Sequence, residues 1–150
     1  MSAQLTLAGP EHLDRIVGLV AAFHAEAGIE QDGEARRAGI APLLDGSPYG
    51  SIYLIGPVRA PIGYVVLTFG WSLEFGGMDG FVDELYVRPA VRGRGIAAEV
   101  LSTLPRALAD QAGLRALHLE VASEAESVQR LYERAGFRMR DGYHLMTRTF

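Results

Sequence analysis

The 150-residue chain has no cysteine, no lysine and no asparagine. Lacking cysteine, it can have no disulfide scaffold, no thiolate zinc site and no cysteine nucleophile to carry a covalent intermediate. Its 14 basic residues are all arginine and face 18 acidic ones, for a net charge of −4. That balance excludes the basic stripe of a broad nucleic-acid face. The joint absence of Lys and Asn reads as codon bias rather than physics. No apolar run approaches the roughly 20 residues that span a bilayer. The opening MSAQLTLAGPEHLDR has neither the basic start nor the apolar core of a signal peptide. The expectation is therefore a cytoplasmic protein with no membrane and no nucleic-acid partner. The four histidines, His12, His24, His118 and His144, are scattered without metal-ligand helical spacing, so no metal is expected.

What is present is an ordinary globular composition, 49% apolar and 21% charged. The length suits one domain over residues 1–150, burying roughly 68–70% of the surface its unfolded chain exposes. Gln4–Leu7 is a short strand candidate. Glu11–Ala27 carries Leu13, Ile16, Val17, Val20 and Phe23 as a helical stripe, ended by Gly28. Glu34–Leu44 is a shorter helix, weakened by Gly39 and Pro42. Ser51–Ile55, Ile62–Phe69 and Phe81–Val87 are rich in β-branched and aromatic residues, with turns at GPVRAP and Gly76–Gly77, and predict an antiparallel meander. Ile96–Ala112 is a helix that Pro105 should bend or interrupt. Leu114–Val121 alternates as a strand. Ser123 and Glu126 stand at capping-box spacing for a helix running to Ala135. Two last strands are expected near Phe137–Met139 and Tyr143–Thr149. The fold class is mixed α/β (α+β).

The most informative stretch is FVDELYVRPAVRGRGIAAEVL, residues 81–101. A strand enters a turn holding Arg92, Gly93, Arg94 and Gly95, and a helix follows. Glycines let backbone N–H groups converge on an anion, and the helix start adds partial positive charge. Two arginines add formal charge. Taken alone, this is either a phosphate cradle or a tight turn with solvated arginines. It lacks the Lys-Ser/Thr ending of a nucleotide-triphosphatase loop and the G-x-G-x-x-G of a dinucleotide fold.

This stretch resembles the signature of the GNAT superfamily of N-acetyltransferases, Arg/Gln-x-x-Gly-x-Gly/Ala, met here by Arg92, Gly95 and Ala97 after ELYVRP. The resemblance continues in LHLEVASEAESVQRLYERAGFRMRDGY, residues 117–143, which is similar to the second block of that family. It implies the GNAT fold, a central, mostly antiparallel mixed sheet of about seven strands flanked by about four helices. It also implies acetyl-CoA as co-substrate, with backbone groups of Leu85, Tyr86 and Val87 pairing with the pantetheine arm. Arg92, Gly93, Arg94, Gly95, Ile96, Ala97 and Ala98 would hold the pyrophosphate. Many relatives carry an Asn at the start of the last helix, where this chain has Ala125.

An alkylammonium acceptor with pKa near 10.4 must lose a proton, at a cost of about 4.6 kcal/mol at pH 7, before it can attack. The departing thiolate then needs an acid. Tyr132 matches the tyrosine that relatives use as that acid; otherwise it is a core tyrosine beside Val128 and Leu131. The candidate bases are Glu84, then Glu120, with Asp83 a third carboxylate. For each, a solvated or salt-bridged strand carboxylate is the plain alternative. Strict alternation puts Asp83 with Phe81, Leu85 and Val87, and Glu84 with Val82 and Tyr86; a bulge would scramble this. Phe23, His24, Glu26, Tyr64, Trp71 and Glu74 are candidates for an acceptor groove, and His118 and His144 read as structural. The leading expectation is transfer of an acetyl group to a primary amine of a small molecule or peptide, by direct attack in a ternary complex. The rival is a non-catalytic acyl-CoA-binding module. A homodimer is expected.

Overall fold

The computed structural model describes residues 3–150. One five-stranded sheet runs in the order β1 (Leu5–Leu7), β2 (Gly50–Ile55), β3 (Gly63–Ser72), β4 (Gly77–Val87) and β5 (Ala116–His118). Strands β2, β3 and β4 pair antiparallel as the expected meander, β1 pairs antiparallel with β2, and β5 joins β4 in parallel. The β3–β4 hairpin is longer than the sequence suggests, because Phe69–Ser72 and Gly77–Gly80 continue the ladder past the β-branched core.

Helices α1 (Leu13–Ala27) and α2 (Gly33–Leu44) cover one face. Ile16, Leu19 and Val20 follow helical spacing and pack on Ile52, Leu54, Tyr64, Val66 and Tyr86. Helix α3 (Ile96–Ala112) covers the other, placing Val100 and Leu104 against Ile55, Val65 and Leu67. Each such buried aliphatic side chain contributes about 1.5–3 kcal/mol. Gly28 ends α1 with a φ of 71°, where its amide reaches His24 O. Asp32 starts α2 by accepting from the Ala35 amide at 2.7 Å. Pro105 does not interrupt α3, which stays one helix through it. Packing of Val100, Leu101 and Leu104 outweighs the missing backbone bond.

Two local features of β4 position the site. Glu84 faces Val66 on β3 while Val82 faces Leu67, so Asp83 is the extra residue of a β-bulge. The bulge turns Val82 to the α3 face with Leu85, and leaves Glu84 on the α1 face with Tyr86. Strict alternation therefore fails at one residue. Second, β5 pairs with β4 only from Asp79↔Ala116 to Phe81↔His118. Beyond the bulge the two strands part.

This parting explains the first two of three corrections. Leu114–Val121 is a strand only at Ala116–His118, since its partner has turned away. Phe137–Met139 and Tyr143–Thr149 form no strands, so the sheet has five strands rather than about seven. A short β5 offers too little edge to template more, and strand propensity without a partner is weak. Helix α4 (Glu126–Arg134) has Ala125 at its N-cap, and Ser123 Oγ bonds Glu124 Oε2 instead, so the capping box does not form. Gln129 Nε2 ties down that entry by donating to the Ala122 and Ser123 carbonyls.

Candidate active site

Where β4 leaves β5, its outer edge is open. Arg88 N donates to Ile62 O, so antiparallel alternation turns the amides and carbonyls of Tyr86 and Glu84 toward β3. Those of Leu85 and Val87 point away from it, into a cleft of about 360 Å³. Buried backbone groups demand partners, and Val87 O has one in Arg92 Nε at 2.8 Å. The free edge would suit an extended amide-bearing ligand.

A single 3-10 turn, Pro89–Val91, carries the chain from β4 into the glycine turn at the cleft's end. Gly93 and Gly95 have φ values of 80° and 76°, in the left-handed region that side chains disfavour. A Cβ at either would meet no heavy atom within 4 Å. Packing does not demand these glycines; the turn's shape and the open space in front of it do. Gly95 is the N-cap of α3 and has no side chain to satisfy the first helical amides, so those of Ile96, Ala97 and Ala98 remain anion donors. These residues fit a pyrophosphate-bearing ligand.

The two arginines differ. Arg94 is exposed. Arg92 bridges to Glu26 Oε2 on α1 at 2.7 Å and lies 5.6 Å over the Tyr86 ring. Its hydrogen bond to Arg92 holds the Glu26 carboxyl below its ordinary range, and the same bond raises the guanidinium. Arg92 is thus a strap from the turn to α1, and its charge is already partnered.

Across the cleft, α4 presents Val128, Leu131 and Tyr132. Burial pushes the Tyr132 hydroxyl up, so it stays protonated at neutral pH and able to donate. Tyr132 also borders a larger hollow, about 1260 Å³, between β5 and the irregular C-terminal segment. That hollow holds none of the turn's glycines and is lined by Glu120, which is exposed past the end of β5.

On the α1 face, Glu84 Oε2 lies 2.7 Å from His24 Nε2, and Glu84 Oε1 accepts from Tyr64 OH at 2.7 Å. His24 and Tyr64 are buried, and the Glu84 side chain is 17% exposed. Phe23 packs edge-on to Tyr64 and tilted against Tyr86, walling this cluster. Partial burial, then the charges of Glu84 and Glu120, raise the neighbouring Asp83 carboxyl. The three candidate carboxylates thus share one electrostatic environment.

Of the acceptor-side candidates, Phe23, His24 and Tyr64 gather here, while Glu26 lines the cleft and pairs with Arg92. Trp71 and Glu74 do not: Trp71 is exposed on the far hairpin, and Glu74 pairs with Arg140. His118 lies 3.2 Å from Asp79 on the paired part of β4. Sequence reasoning missed Tyr64 as a Glu84 partner and Arg92 as a strap. Its one available signal was the Asp83–Glu84 pair inside an otherwise apolar strand. Among the described residues, no three His, Asp or Glu side chains gather as a metal site, and no helix is long and apolar enough to cross a membrane.

A half-unpaired strand, a glycine turn opening a helix, and a tyrosine across the gap set one cleft into a mixed α/β fold. The model of the Acetyltransferase (GNAT) family matches residues 19–137, and the chain belongs to that family. An integron cassette protein from the mobile metagenome of Cole Harbour Salt Marsh is 35% identical, with a TM-score of 0.82 over 97% of this chain and 90% of that one. The ribosomal-protein-alanine N-acetyltransferase of Brucella melitensis biovar Abortus 2308 is 19% identical, with a TM-score of 0.74 over 99% of each chain. A Clostridium acetobutylicum structure described as a predicted acetyltransferase with acetyl-CoA is 16% identical, with a TM-score of 0.76 over 97% of this chain and 96% of that one. These last two likenesses show the fold alone. A search of curated proteins returned no match.

Proposed function

We propose that the protein transfers an acetyl group from acetyl-CoA to a primary amine of a small molecule or peptide, by direct attack in a ternary complex. The observation that carries this reading is the cleft itself. It joins the free edge at Leu85 and Val87, the open glycine turn at Gly93–Gly95, and the buried Tyr132 hydroxyl. The turn and the first amides of α3 bind the pyrophosphate, with Arg94 as the nearby free charge. Leu85 and Val87 align the amide-bearing arm. No cysteine is present to accept the acetyl group, so the amine attacks the thioester carbon directly. The C–N bond forms, the C–S bond breaks, Tyr132 gives its proton to the departing sulfur, and Glu84 receives the amine's proton through water. The acidic Asp83, Glu84 and Glu120 favour a cationic acceptor.

We also propose that two copies associate through the C-terminal segment, where Tyr143, Leu145, Met146 and Phe150 are exposed. Light scattering should then give twice 16.2 kDa; a monomer mass across micromolar concentrations would refute this.

The experiment for the main reading is thiol release from acetyl-CoA with polyamines, amino acids, aminoglycosides and peptide N-termini. Amine-dependent release supports the transferase. CoA binding with no release from any acceptor supports the acyl-CoA-binding module instead.

A further inference from the structure

Two adjacent carboxyl groups on one strand, Asp83 and Glu84, compete for ionisation, because like charges this close disfavour each other. Glu84 is the more enclosed, its side chain 17% exposed where Asp83 is exposed. Two donors reach it. Tyr64 OH is buried, and burial followed by the bond to Glu84 drives its proton affinity far up. It is therefore a permanent donor to Oε1.

His24 supplies the second donor. Its ring is buried, Nε2 is 2.7 Å from Glu84 Oε2, and Nδ1 is buried with no hydrogen-bond partner among the described residues. A protonated ring would bury an N–H at Nδ1 with nothing to accept it, a costly arrangement. A neutral ring with its hydrogen on Nε2 leaves only a lone pair there and gives Glu84 a full donor. The ionisable groups facing this pair are Tyr64 from β3 and Asp83 and Tyr86 from β4, with Glu120 acting on Asp83 from beyond β5.

We propose that His24 is a positioning residue: as the neutral Nε2–H tautomer it donates to Glu84 and, with Tyr64, selects Glu84 rather than Asp83 as the carboxylate that receives the acceptor's proton. This deepens the transferase reading and rests on it for its catalytic consequence. The tautomer and the two hydrogen bonds to Glu84 stand without it.

The test replaces His24 by Gln, which can place a donor near the Nε2 position, and by Phe, which cannot. Tyr64→Phe is the control that removes only a hydroxyl, should His24→Phe fail to fold. In the wild-type protein at about pH 7, 15N spectra of the labelled imidazole should show the His24 hydrogen on Nε2 and a bare Nδ1. The 13C resonance of the Glu84 carboxyl should move in His24→Phe and in Tyr64→Phe, as each removes a donor, and less in His24→Gln. These readouts need no acceptor, so they are decided even if no amine is ever acetylated. Where turnover is measured, the acid limb of kcat/KM should shift upward in both Phe variants and be restored by His24→Gln. A His24 ring with its hydrogen on Nδ1, or on both nitrogens, at about pH 7 overturns the proposal, as does a Glu84 carboxyl resonance unmoved by both Phe variants.

Discussion

On its α3 side, β4 works through backbone: an unpaired edge, two left-handed glycines and the bare first turn of a helix. On its α1 side it works through side chains, with Glu84 gripped by His24 and Tyr64 from two other elements. The first device is open and shaped for an anion. The second is closed and holds a negative charge. The Asp83 bulge separates them, since it lets Leu85 and Val82 face one way while Glu84 and Tyr86 face the other. A donor cleft and an acceptor cluster can thus be built on one strand, with Phe23 and Tyr86 bordering the cleft from the cluster side. Four substitutions probe that division.

The largest effect is expected at Tyr132, the side chain proposed to act on the departing thiolate. Tyr132→Phe keeps the ring and its contact with Phe137 but removes the proton. Loss should fall on kcat by roughly 10²–10⁴-fold. Acetyl-CoA affinity should change little, because one hydroxyl hydrogen bond is worth about 1 kcal/mol net. Wild-type turnover would remove Tyr132 from the chemistry and leave it as packing.

Next is the glycine turn. Gly95→Val places a branched side chain at a φ of 76°, into the open space before α3. The strain is about 1–2 kcal/mol, and the side chain blocks the approach of a pyrophosphate to the helix amides. CoA affinity by calorimetry should fall about 100-fold, the loss of one or two charge-assisted hydrogen bonds at roughly 1.5–3 kcal/mol each. Circular dichroism should still show a folded protein. Affinity unchanged in a folded variant would mean the turn holds no phosphate.

The two devices also differ in how they could be read. The glycine turn is local: Arg92 to Ala97 are contiguous, and left-handed backbone with a helix start leaves a spacing visible in the chain. The helical stripes of α1 and α3 and the meander were legible for the same reason. The Glu84 cluster joins residues 20 and 60 positions apart, and no local period encodes which buried His meets which Glu. The bulge is a single unpaired residue whose only trace is two acids in sequence. The C-terminal segment shows the converse failure. Its strand-forming residues were evident, yet whether they form strands depends on the edge they meet, and β4 turns away from β5 before that edge is long.

The third effect is smaller. Arg92→Gln shortens the strap and removes its charge, releasing Glu26 and the Val87 carbonyl. The pair is solvent-exposed, so its loss should be modest and should shrink as salt is raised. CoA binding should weaken only a fewfold, because the arginine's charge is already partnered. A loss as large as that of Gly95→Val would instead make Arg92 a direct phosphate ligand.

The smallest effect concerns Asp83, on the boundary itself. Its carboxyl is raised above the ordinary aspartate range of about 3.9 by partial burial and then by Glu84 and Glu120. The folded protein therefore holds that proton more tightly than the unfolded chain does. Any stability this contributes is fully present below the unfolded value and is lost as pH rises through the raised folded one. At neutral pH the ionised Asp83 is a net cost, which Asp83→Asn removes. Because the side chain is partly solvated, the gain should stay below about 1 kcal/mol. Urea denaturation at about pH 7.5 should show the variant more stable than wild type, and at about pH 3 the two should coincide. A variant less stable than wild type at neutral pH would mean that Asp83 makes a favourable contact in its charged form. The two faces of β4 would then be joined at the bulge rather than divided by it.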